Sequence, residues 1–260
     1  MILGSLQMNV MKNKKELNLA KVDKLINELV DLVVLPELFS TGYFFETRDE
    51  LVGIAEKIPN GFTTKELIKI AERTHSHLIG TIVEREDECI YITSVIVGPL
   101  GYIGKHRKRH LTKDESNYYV CGETSDVYEI NGCKIGIVIC FEGWFPESMR
   151  ALMLKGTQIV CCSLLTTSEK TIEMMRTRAI ENKVYLIMSN SISTEIFNGN
   201  SITFMGDSRI IDYRGNVLVS AGKEEKLILT DVDEKLTINK DLEDCDDLVL
   251  EIRKHGGIYT

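Results

Sequence analysis

No apolar run in this 260-residue chain approaches the roughly 18 residues that a membrane-spanning helix needs. The N-terminal segment lacks a basic region followed by a long apolar stretch, so we expect no signal peptide. Positive charge is in short supply, because 31 Lys and Arg residues face 39 Asp and Glu residues and the formal net charge is -8. A protein whose main task is to bind nucleic acid needs a basic face. We therefore expect neither a nucleic acid nor a membrane as partner.

Cysteine is present, but its arrangement is not that of a cross-linked or metal-binding protein. The chain has seven cysteines, an odd number, without a C-x-x-C pair or a paired Cys/His spacing. We therefore expect no zinc site and no metal or other cofactor. Adjacent Cys161 and Cys162 lie in the apolar run IVCCSLL, which favours small buried side chains in a strand. This usage is typical of a reducing cytoplasm, where we expect the protein to act.

Proline is also scarce, with four in the chain, and no repeat or linker rich in Pro, Gly or Ser divides the sequence. The apolar content of 43% can bury a sizeable core, so we expect one domain over residues 1–260. Short apolar strands alternate with amphipathic helical patterns, which predicts the α/β class. The Asn131-Gly132 pair favours a β-hairpin, and such hairpins make the expected sheets mixed rather than purely parallel.

Two of the predicted helices are described by their side-chain pattern. Residues 14–30 have apolar side chains at helical spacing, and Leu29 belongs to that apolar face. Residues 63–74 form a second amphipathic pattern. Thr63 and Glu66 have the spacing of a capping box, which predicts that this helix begins at Thr63.

Three side chains with useful chemistry follow or border apolar strands. Cys140 ends the run IGIVIC, so its thiol should lie at the carboxyl end of a buried strand, where α/β sheets place their ligands. Glu37 follows LVVLP, and a carboxylate there would be partly desolvated, with a raised pKa. Lys108 lies among four cations in GKHRKRHL. Taken singly, each also fits a bland role: a structural cysteine, a loop carboxylate and a solvated basic loop.

Taken together, the segments around these residues resemble the nitrilase superfamily of carbon–nitrogen hydrolases. In chain order, VVLPELFSTGY resembles the family's glutamate motif, YIGKHRKRHL its lysine motif and IGIVICFEGWFPE its cysteine motif. Further likenesses cover nearly the whole chain: Gln7 in the opening strand, Glu115 with Tyr118, Tyr119 and Gly122 after it, RAIEN at 178–182, Asn190, SRIIDYRGNVL at 208–218, and Tyr259 near the C-terminus.

The resemblance implies a four-layer αββα sandwich with mixed sheets, paired with a second copy as a homodimer or larger homo-oligomer. It also implies covalent acyl transfer on a small amide, with Cys140 as nucleophile and Glu37 as general base. The resemblance assigns oxyanion stabilisation to Lys108, helped by a backbone N–H after Cys140. Glu115 is expected as a second carboxylate that orients Lys108 or the substrate.

The residues that follow the nucleophile are expected to contact the substrate. Phe141, Glu142 and Trp144 are the predicted substrate-binding residues, although Trp144 also fits a plain packing role. Many family members have Asp where this chain has Glu142. The segment CCSLLTT departs from the usual pattern with a proline and small residues. Because those positions tend to face the acyl pocket, the departure leaves the substrate open.

Several functions are compatible with these motifs. Amide hydrolysis is favoured, with omega-amidases of dicarboxylate monoamides and N-carbamoyl amidohydrolases as the expected subclasses. Alternatives are hydrolysis of a nitrile and a catalytically silent binding or scaffold protein on the same fold. The presence of Glu37, Lys108 and Cys140 argues against a catalytically silent protein. A papain-like protease needs a histidine partner, and the five histidines of the chain lack the expected flanking sequence.

Overall fold

The computed structural model describes residues 1–242 and 245–255, so Tyr259 lies outside the described residues. Within that part of the chain the strands, in order, are β1 (Ile2–Gln7), β2 (Leu32–Val34), β3 (His77–Glu86), β4 (Cys89–Gly98), β5 (Gly101–Arg107), β6 (Val127–Ile130), β7 (Cys133–Ile139), β8 (Ile159–Ser163), β9 (Tyr185–Ser189), β10 (Thr194–Phe197), β11 (Asn200–Thr203), β12 (Arg209–Ile211), β13 (Val217–Ser220) and β14 (Lys226–Asp231). The helices are α1 (Lys15–Leu25), α2 (Arg48–Ile54), α3 (Phe62–Thr74), α4 (Pro146–Leu154), α5 (Glu169–Asn182) and α6 (Leu248–Lys254).

These strands form two six-stranded sheets and one separate hairpin. The first sheet has the order β14-β1-β2-β3-β4-β5 and the second the order β13-β12-β9-β8-β7-β6. In each sheet three neighbouring strands are parallel and the outer strands pair antiparallel. The prediction of mixed sheets is therefore confirmed. The hairpin of β10 and β11 stands apart from both sheets.

The two sheets pack face to face and helices cover their outer faces. The central core contains buried side chains from both sheets, such as Ile79 and Ile137. Helices α1 and α3 pack on the outer face of the first sheet, and α4 and α5 pack on the second. Buried serine hydroxyls cross the central layer: Ser163 Oγ donates to the carbonyl oxygen of Leu35 at 2.8 Å. The layers follow the order αββα, as predicted.

Local signals predicted some element ends correctly and others wrongly. Asn131 and Gly132 both have positive φ and join β6 to β7, which confirms the hairpin. Helix α1 ends at Leu25, so Leu29 is 81% exposed and the longer helix over 14–30 was wrong. The capping box was also wrong, because Gly61 precedes the first turn of α3. The hydroxyl and backbone N–H of Thr63 instead bind Glu56.

No helix in the described part of the chain is long and apolar enough to cross a bilayer. The sandwich instead brings together loops from both sheets. The backbone N–H of Glu37, three residues beyond β2, lies 3.4 Å from the carbonyl oxygen of Leu164, just beyond β8. Lys108 continues the pairing of β5, since its backbone N–H donates to Ile92 at 2.8 Å. The strand ends of the two sheets therefore meet at one place.

Candidate active site

Three of the predicted catalytic residues share one buried hydrogen-bonded cluster. Lys108 Nζ donates to Glu37 Oε1 at 2.7 Å and to Glu115 Oε1 at 2.6 Å. Glu37 is completely buried, and the other two are at most 4% exposed. An ammonium ion taken from water into such a site needs close anionic partners, and two carboxylates supply them. The structure thus brings Glu37, Lys108 and Glu115 together over separations of 71 and 7 residues.

Cys140 lies beside this cluster at the carboxyl end of β7. It begins a 3-10 turn over Cys140–Trp144, and its φ is +44°. A non-glycine residue in this left-handed region is strained, and such strain is typical of positions that the surrounding fold fixes for function. The thiol lies 3.7 Å from the carbonyl oxygen of Leu165. The turn therefore holds the sulfur in a defined place.

Burial controls the protonation of the two groups that exchange a proton in the predicted chemistry. Burial raises the pKa of Glu37 to about 7, opposed by the Lys108 ammonium and reinforced by Glu115. Burial, and then the Glu37 carboxylate, raise the pKa of the Cys140 thiol well above its usual value. The resting cysteine is therefore a neutral thiol, and it needs a base at the moment of attack.

Lys108 stays charged despite its burial. Desolvation alone would lower its pKa, but Glu37, Cys140 and Glu115 together outweigh desolvation and raise it. The site therefore contains a fixed positive charge next to the cysteine. Such a charge is suited to an oxyanion that forms only in the transition state.

The two carboxylates of the cluster differ in how many of their oxygens accept hydrogen bonds. Glu115 Oε1 accepts from Lys108 and from the Tyr43 hydroxyl at 2.8 Å, and Oε2 accepts from the backbone N–H of Thr112 at 2.8 Å. Glu37 Oε2 is buried and has no hydrogen-bond partner in the described part of the chain. Glu115 is therefore fixed in place, whereas Glu37 keeps an oxygen that can accept a proton.

The contacts of Glu142, a predicted substrate-binding residue, lie within the fold. Its carboxylate is 2% exposed and accepts from the backbone N–H groups of Ile139 at 2.7 Å and Arg109 at 2.9 Å. His106 Nε2 lies 3.0 Å from its Oε2. Since both oxygens are engaged within the fold, Glu142 joins the backbone before Cys140 to the backbone after Lys108. This burial favours a positioning role for Glu142, and its predicted contact with the substrate stays a prediction.

The other two predicted substrate-binding residues, Phe141 and Trp144, belong to the same turn. The Phe141 ring packs edge-on against Phe145 with centroids 5.3 Å apart. Trp144 is 45% exposed, and its backbone carbonyl accepts a hydrogen bond from Arg178. No contact in the described residues ties either side chain to Glu37 or Lys108, so their predicted role remains a prediction.

We expect Glu142→Ala to lower both stability and turnover. The substitution leaves the buried N–H of Ile139 without an acceptor, at a cost of about 1–3 kcal/mol, and also removes the acceptor of the partly buried Arg109 N–H. Relaxation of the turn should lower kcat by roughly tenfold with a smaller change in KM, because a misplaced reacting group weakens the transition state first. Urea unfolding and steady-state kinetics measure the two effects. Exposed Glu147→Ala is the matched control, and equal behaviour of the two variants would contradict the positioning role.

Two residues that support this cluster, Tyr43 and Glu195, were not predicted from the sequence. Tyr43 donates to Glu115, and Glu195 holds the Tyr43 segment in place by accepting the backbone N–H groups of Tyr43 and Phe44, both at 3.0 Å. Tyr43 closes the segment LFSTGY after Glu37, so the motif itself was a usable signal. Glu195 gave no local signal, because it is 152 residues away from its partner.

Within residues 1–242 and 245–255, no group of three or more His, Cys, Asp or Glu side chains is arranged to hold a metal ion. The charged groups of the cluster instead form hydrogen-bonded ion pairs with one another. The arrangement offers a thiol, a carboxylate with a pKa near neutrality and a fixed ammonium ion. These are the parts needed for acyl transfer through a covalent thioester.

The carbon–nitrogen hydrolase family matches residues 2–239 of this chain. A nitrilase from Pyrococcus abyssi is 36% identical over 254 residues, which cover 95% of each chain. An omega-amidase NIT2 from Xenopus tropicalis is 32% identical over 238 residues, or 84% of each chain. Among solved structures, Saccharomyces cerevisiae Nit3, from branch 10 of the nitrilase superfamily, superimposes with a TM-score of 0.80, at 26% identity and 91% coverage of each chain.

Proposed function

The chain belongs to the carbon–nitrogen hydrolase family, and we propose that it hydrolyses the amide bond of a small molecule with Glu37, Lys108 and Cys140 as its catalytic residues. The buried cluster in which Lys108 bridges Glu37 and Glu115 beside the Cys140 thiol is the observation that carries this proposal. A fully buried lysine between two carboxylates costs desolvation energy that a merely structural site could avoid with apolar side chains.

In the first half of the reaction, Glu37 takes the thiol proton while Cys140 Sγ attacks the carbonyl carbon of the amide. Negative charge develops on the carbonyl oxygen, which faces the Lys108 ammonium and a backbone N–H of the turn that follows Cys140. N–H groups at the start of a helical turn lack partners within it, so they are free to donate. Glu37 then gives its proton to the leaving nitrogen, and the C–N bond breaks to leave a thioester.

In the second half, water attacks the thioester carbonyl as Glu37 accepts one of its protons. The tetrahedral oxyanion forms in the same place and meets the same donors. The C–S bond then breaks, the carboxylic acid leaves, and the proton on Glu37 returns to the Cys140 sulfur. One carboxylate with a pKa of about 7 can accept and return a proton in both halves near neutral pH.

For the substrate, the names of the relatives support two candidates. The omega-amidase relative supports the monoamide of a short dicarboxylic acid. The Pyrococcus relative named a nitrilase supports a nitrile as the second candidate, because attack of the same thiol on a nitrile carbon and hydrolysis also end in a thioester. A nitrile has no carbonyl oxygen to place near Lys108 at the outset, so the amide uses the site more fully.

Mass spectrometry of the intact protein during turnover tests the catalytic assignment. We expect a panel of small monoamides, carbamoyl amines and nitriles to yield an acyl adduct on the wild-type protein, located on Cys140 after digestion. The adduct should vanish in Cys140→Ala and persist in Cys121→Ala, which removes an exposed cysteine instead. Absence of both adduct and turnover over the whole panel would contradict the proposal and favour a silent binding protein.

The assembly and location of the protein complete the proposal. We expect a homodimer, as the family resemblance implies, which size-exclusion chromatography with light scattering can measure. We place the protein in the cytoplasm, because all seven of its cysteines are free, which is compatible with a reducing compartment.

A further inference from the structure

The β10–β11 hairpin belongs to neither large sheet, yet its Glu195 is only 4% exposed. The Glu195 carboxylate accepts the backbone N–H groups of Tyr43 and Phe44, both at 3.0 Å. Burial raises the pKa of Glu195, and these two N–H groups oppose that effect without cancelling it. A buried carboxylate that is only partly compensated costs stability, so its position calls for an explanation.

The backbone beside Glu195 is shaped to receive its carboxylate. Gly42 has a φ of +82°, and a Cβ at this position would lie 3.2 Å from Glu195 Oε1. The preceding turn is closed by the Gly42 N–H, which donates to the carbonyl oxygen of Leu38 at 3.0 Å. Glycine adopts positive φ without strain and leaves room for close approach. The backbone can therefore present its next two N–H groups to a single carboxylate.

The loop that follows β2 is held at two separate places. Asn18 of α1 donates from Nδ2 to the carbonyl oxygen of Ser40 at 2.9 Å, which holds the part of the loop nearer to Glu37. Glu195 holds the part that carries Tyr43. Loss of the Glu195 carboxylate should therefore release Tyr43 while Glu37 keeps its own support.

Tyr43 contacts the reaction centre through one oxygen atom. Glu115 Oε1 accepts both the Tyr43 hydroxyl at 2.8 Å and Lys108 Nζ at 2.6 Å. Burial, and then the nearby carboxylates, raise the pKa of Tyr43 well above its usual value, so the hydroxyl remains a neutral donor. Its hydrogen bond restricts where Oε1 lies, and so where the ammonium ion lies. A displacement of about 1 Å at a reacting centre can lower the rate by roughly 10²-fold.

We infer that Glu195 is a positioning residue for Lys108. It fixes Tyr43, and the Tyr43 hydroxyl in turn fixes the Glu115 oxygen that Lys108 binds. This inference rests on the proposed amide hydrolysis, in which the Lys108 ammonium meets an oxyanion. The described hydrogen bonds of Glu195 go to the loop and not to the reacting groups, so its loss should weaken the transition state more than the binding of substrate.

Steady-state kinetics of three variants test the inference, with an amide that the wild type hydrolyses. We expect Glu195→Ala to lower kcat by about 10–100-fold and to change KM by less than about threefold. Glu195→Gln keeps an oxygen that can accept both N–H groups, so its kcat should stay within about fivefold of the wild type. Tyr43→Phe should lower kcat by about tenfold. Adding Tyr43→Phe to Glu195→Ala should lower kcat by less than a further threefold or so, because both substitutions break the same connection.

A small thiol reagent separates displacement of Lys108 from damage to the nucleophile. Methyl methanethiosulfonate converts the Cys140 thiol to a mixed disulfide and releases methanesulfinate, without forming an oxyanion at a carbonyl. In Tyr43→Phe, mass spectrometry after digestion should show that Cys140 is modified at a rate within about threefold of the wild type. Equal losses of this reaction and of amide hydrolysis would overturn the inference, because they would place the defect at Cys140 or Glu37.

Asp212→Ala is the matched control for loss of a carboxylate that holds a hairpin. Asp212 Oδ1 also accepts two backbone N–H groups, those of Arg214 at 2.9 Å and Asn216 at 2.8 Å, between β12 and β13. Its substitution should leave kcat within about threefold of the wild type.

Four results would overturn the inference: equal losses of kcat in Asp212→Ala and Glu195→Ala, an effect of Glu195→Ala on KM alone, no recovery in Glu195→Gln, or wild-type kcat in Tyr43→Phe. The last of these decides the question even where Glu195→Ala does not fold, because Tyr43→Phe keeps the Glu195 anchor. If the wild type itself hydrolyses no amide of the panel, the proposed function fails and this inference fails with it.

Discussion

Glu37→Gln is expected to lower kcat/KM by about 10³-fold, because in the proposed mechanism the same carboxylate moves a proton in both halves of the reaction. General acid–base catalysis contributes roughly 10²–10⁴-fold. Glutamine keeps the shape of the side chain but cannot accept the thiol proton. Lys108 retains its ion pair with Glu115 at 2.6 Å, so the folded structure should persist. Single-turnover measurements should show that formation of the thioester is the step that slows.

The pH dependence of the wild-type enzyme provides an independent measurement of the same group. In the proposed mechanism the active form of Glu37 is the carboxylate, and its pKa is raised to about 7. The value of kcat/KM should therefore fall as pH drops below about 7, because protonated Glu37 cannot accept the thiol proton. This limb should be absent from the residual activity of Glu37→Gln. It should remain in Glu84→Gln, where the replaced carboxylate binds Arg107 on another part of the sheet. A limb that survives in Glu37→Gln would assign the base to another residue.

The sequence predicted the fold class and the cluster for different reasons. Alternating strands and helices, with a hairpin signal at Asn131-Gly132, were sufficient for a mixed α/β sandwich once the family likeness supplied the number of layers. The cluster was predicted from the order of three motifs. No single residue would have been sufficient to predict the cluster. Cys140 is one of seven cysteines, and only its order after the Glu37 and Lys108 motifs distinguishes it from the other six.

What the sequence could not predict depends on long-range partners. The Glu142 carboxylate turns inward to two backbone N–H groups and His106, and spacing along the chain does not reveal that direction. Thr63 likewise binds Glu56 from an earlier segment rather than capping its own helix. Polar side chains in turns are the residues whose partners local patterns predict least well.

Lys108→Met is expected to lower both activity and stability more broadly than Glu37→Gln. Loss of one oxyanion donor typically lowers kcat by about 10²–10³-fold. The substitution also leaves Glu37 and Glu115 buried together without their cation, and removing one partner from a buried ion pair costs roughly 3–5 kcal/mol. Like charges in a common site raise each other's pKa. The pH limb of the residual activity should therefore move above the wild-type value of about 7.

The direction in which stability changes with pH distinguishes repulsion between the two carboxylates from a simple loss of packing. In Lys108→Met the pKa of Glu37 loses the opposing effect of the ammonium ion and stays above its value in the unfolded chain, so the folded state binds more protons. The variant should then lose stability as pH rises from 5 to 8, whereas a packing defect would destabilise it equally at both values. Urea unfolding at the two pH values measures the difference. Lys105→Met, which removes a partly exposed partner of Glu84, is the matched control and should cost far less. At pH 5, protonation of one carboxyl should relieve the repulsion between Glu37 and Glu115, so Lys108→Met should be less destabilised than at pH 8. Equal destabilisation at the two pH values would contradict the proposed charge repulsion.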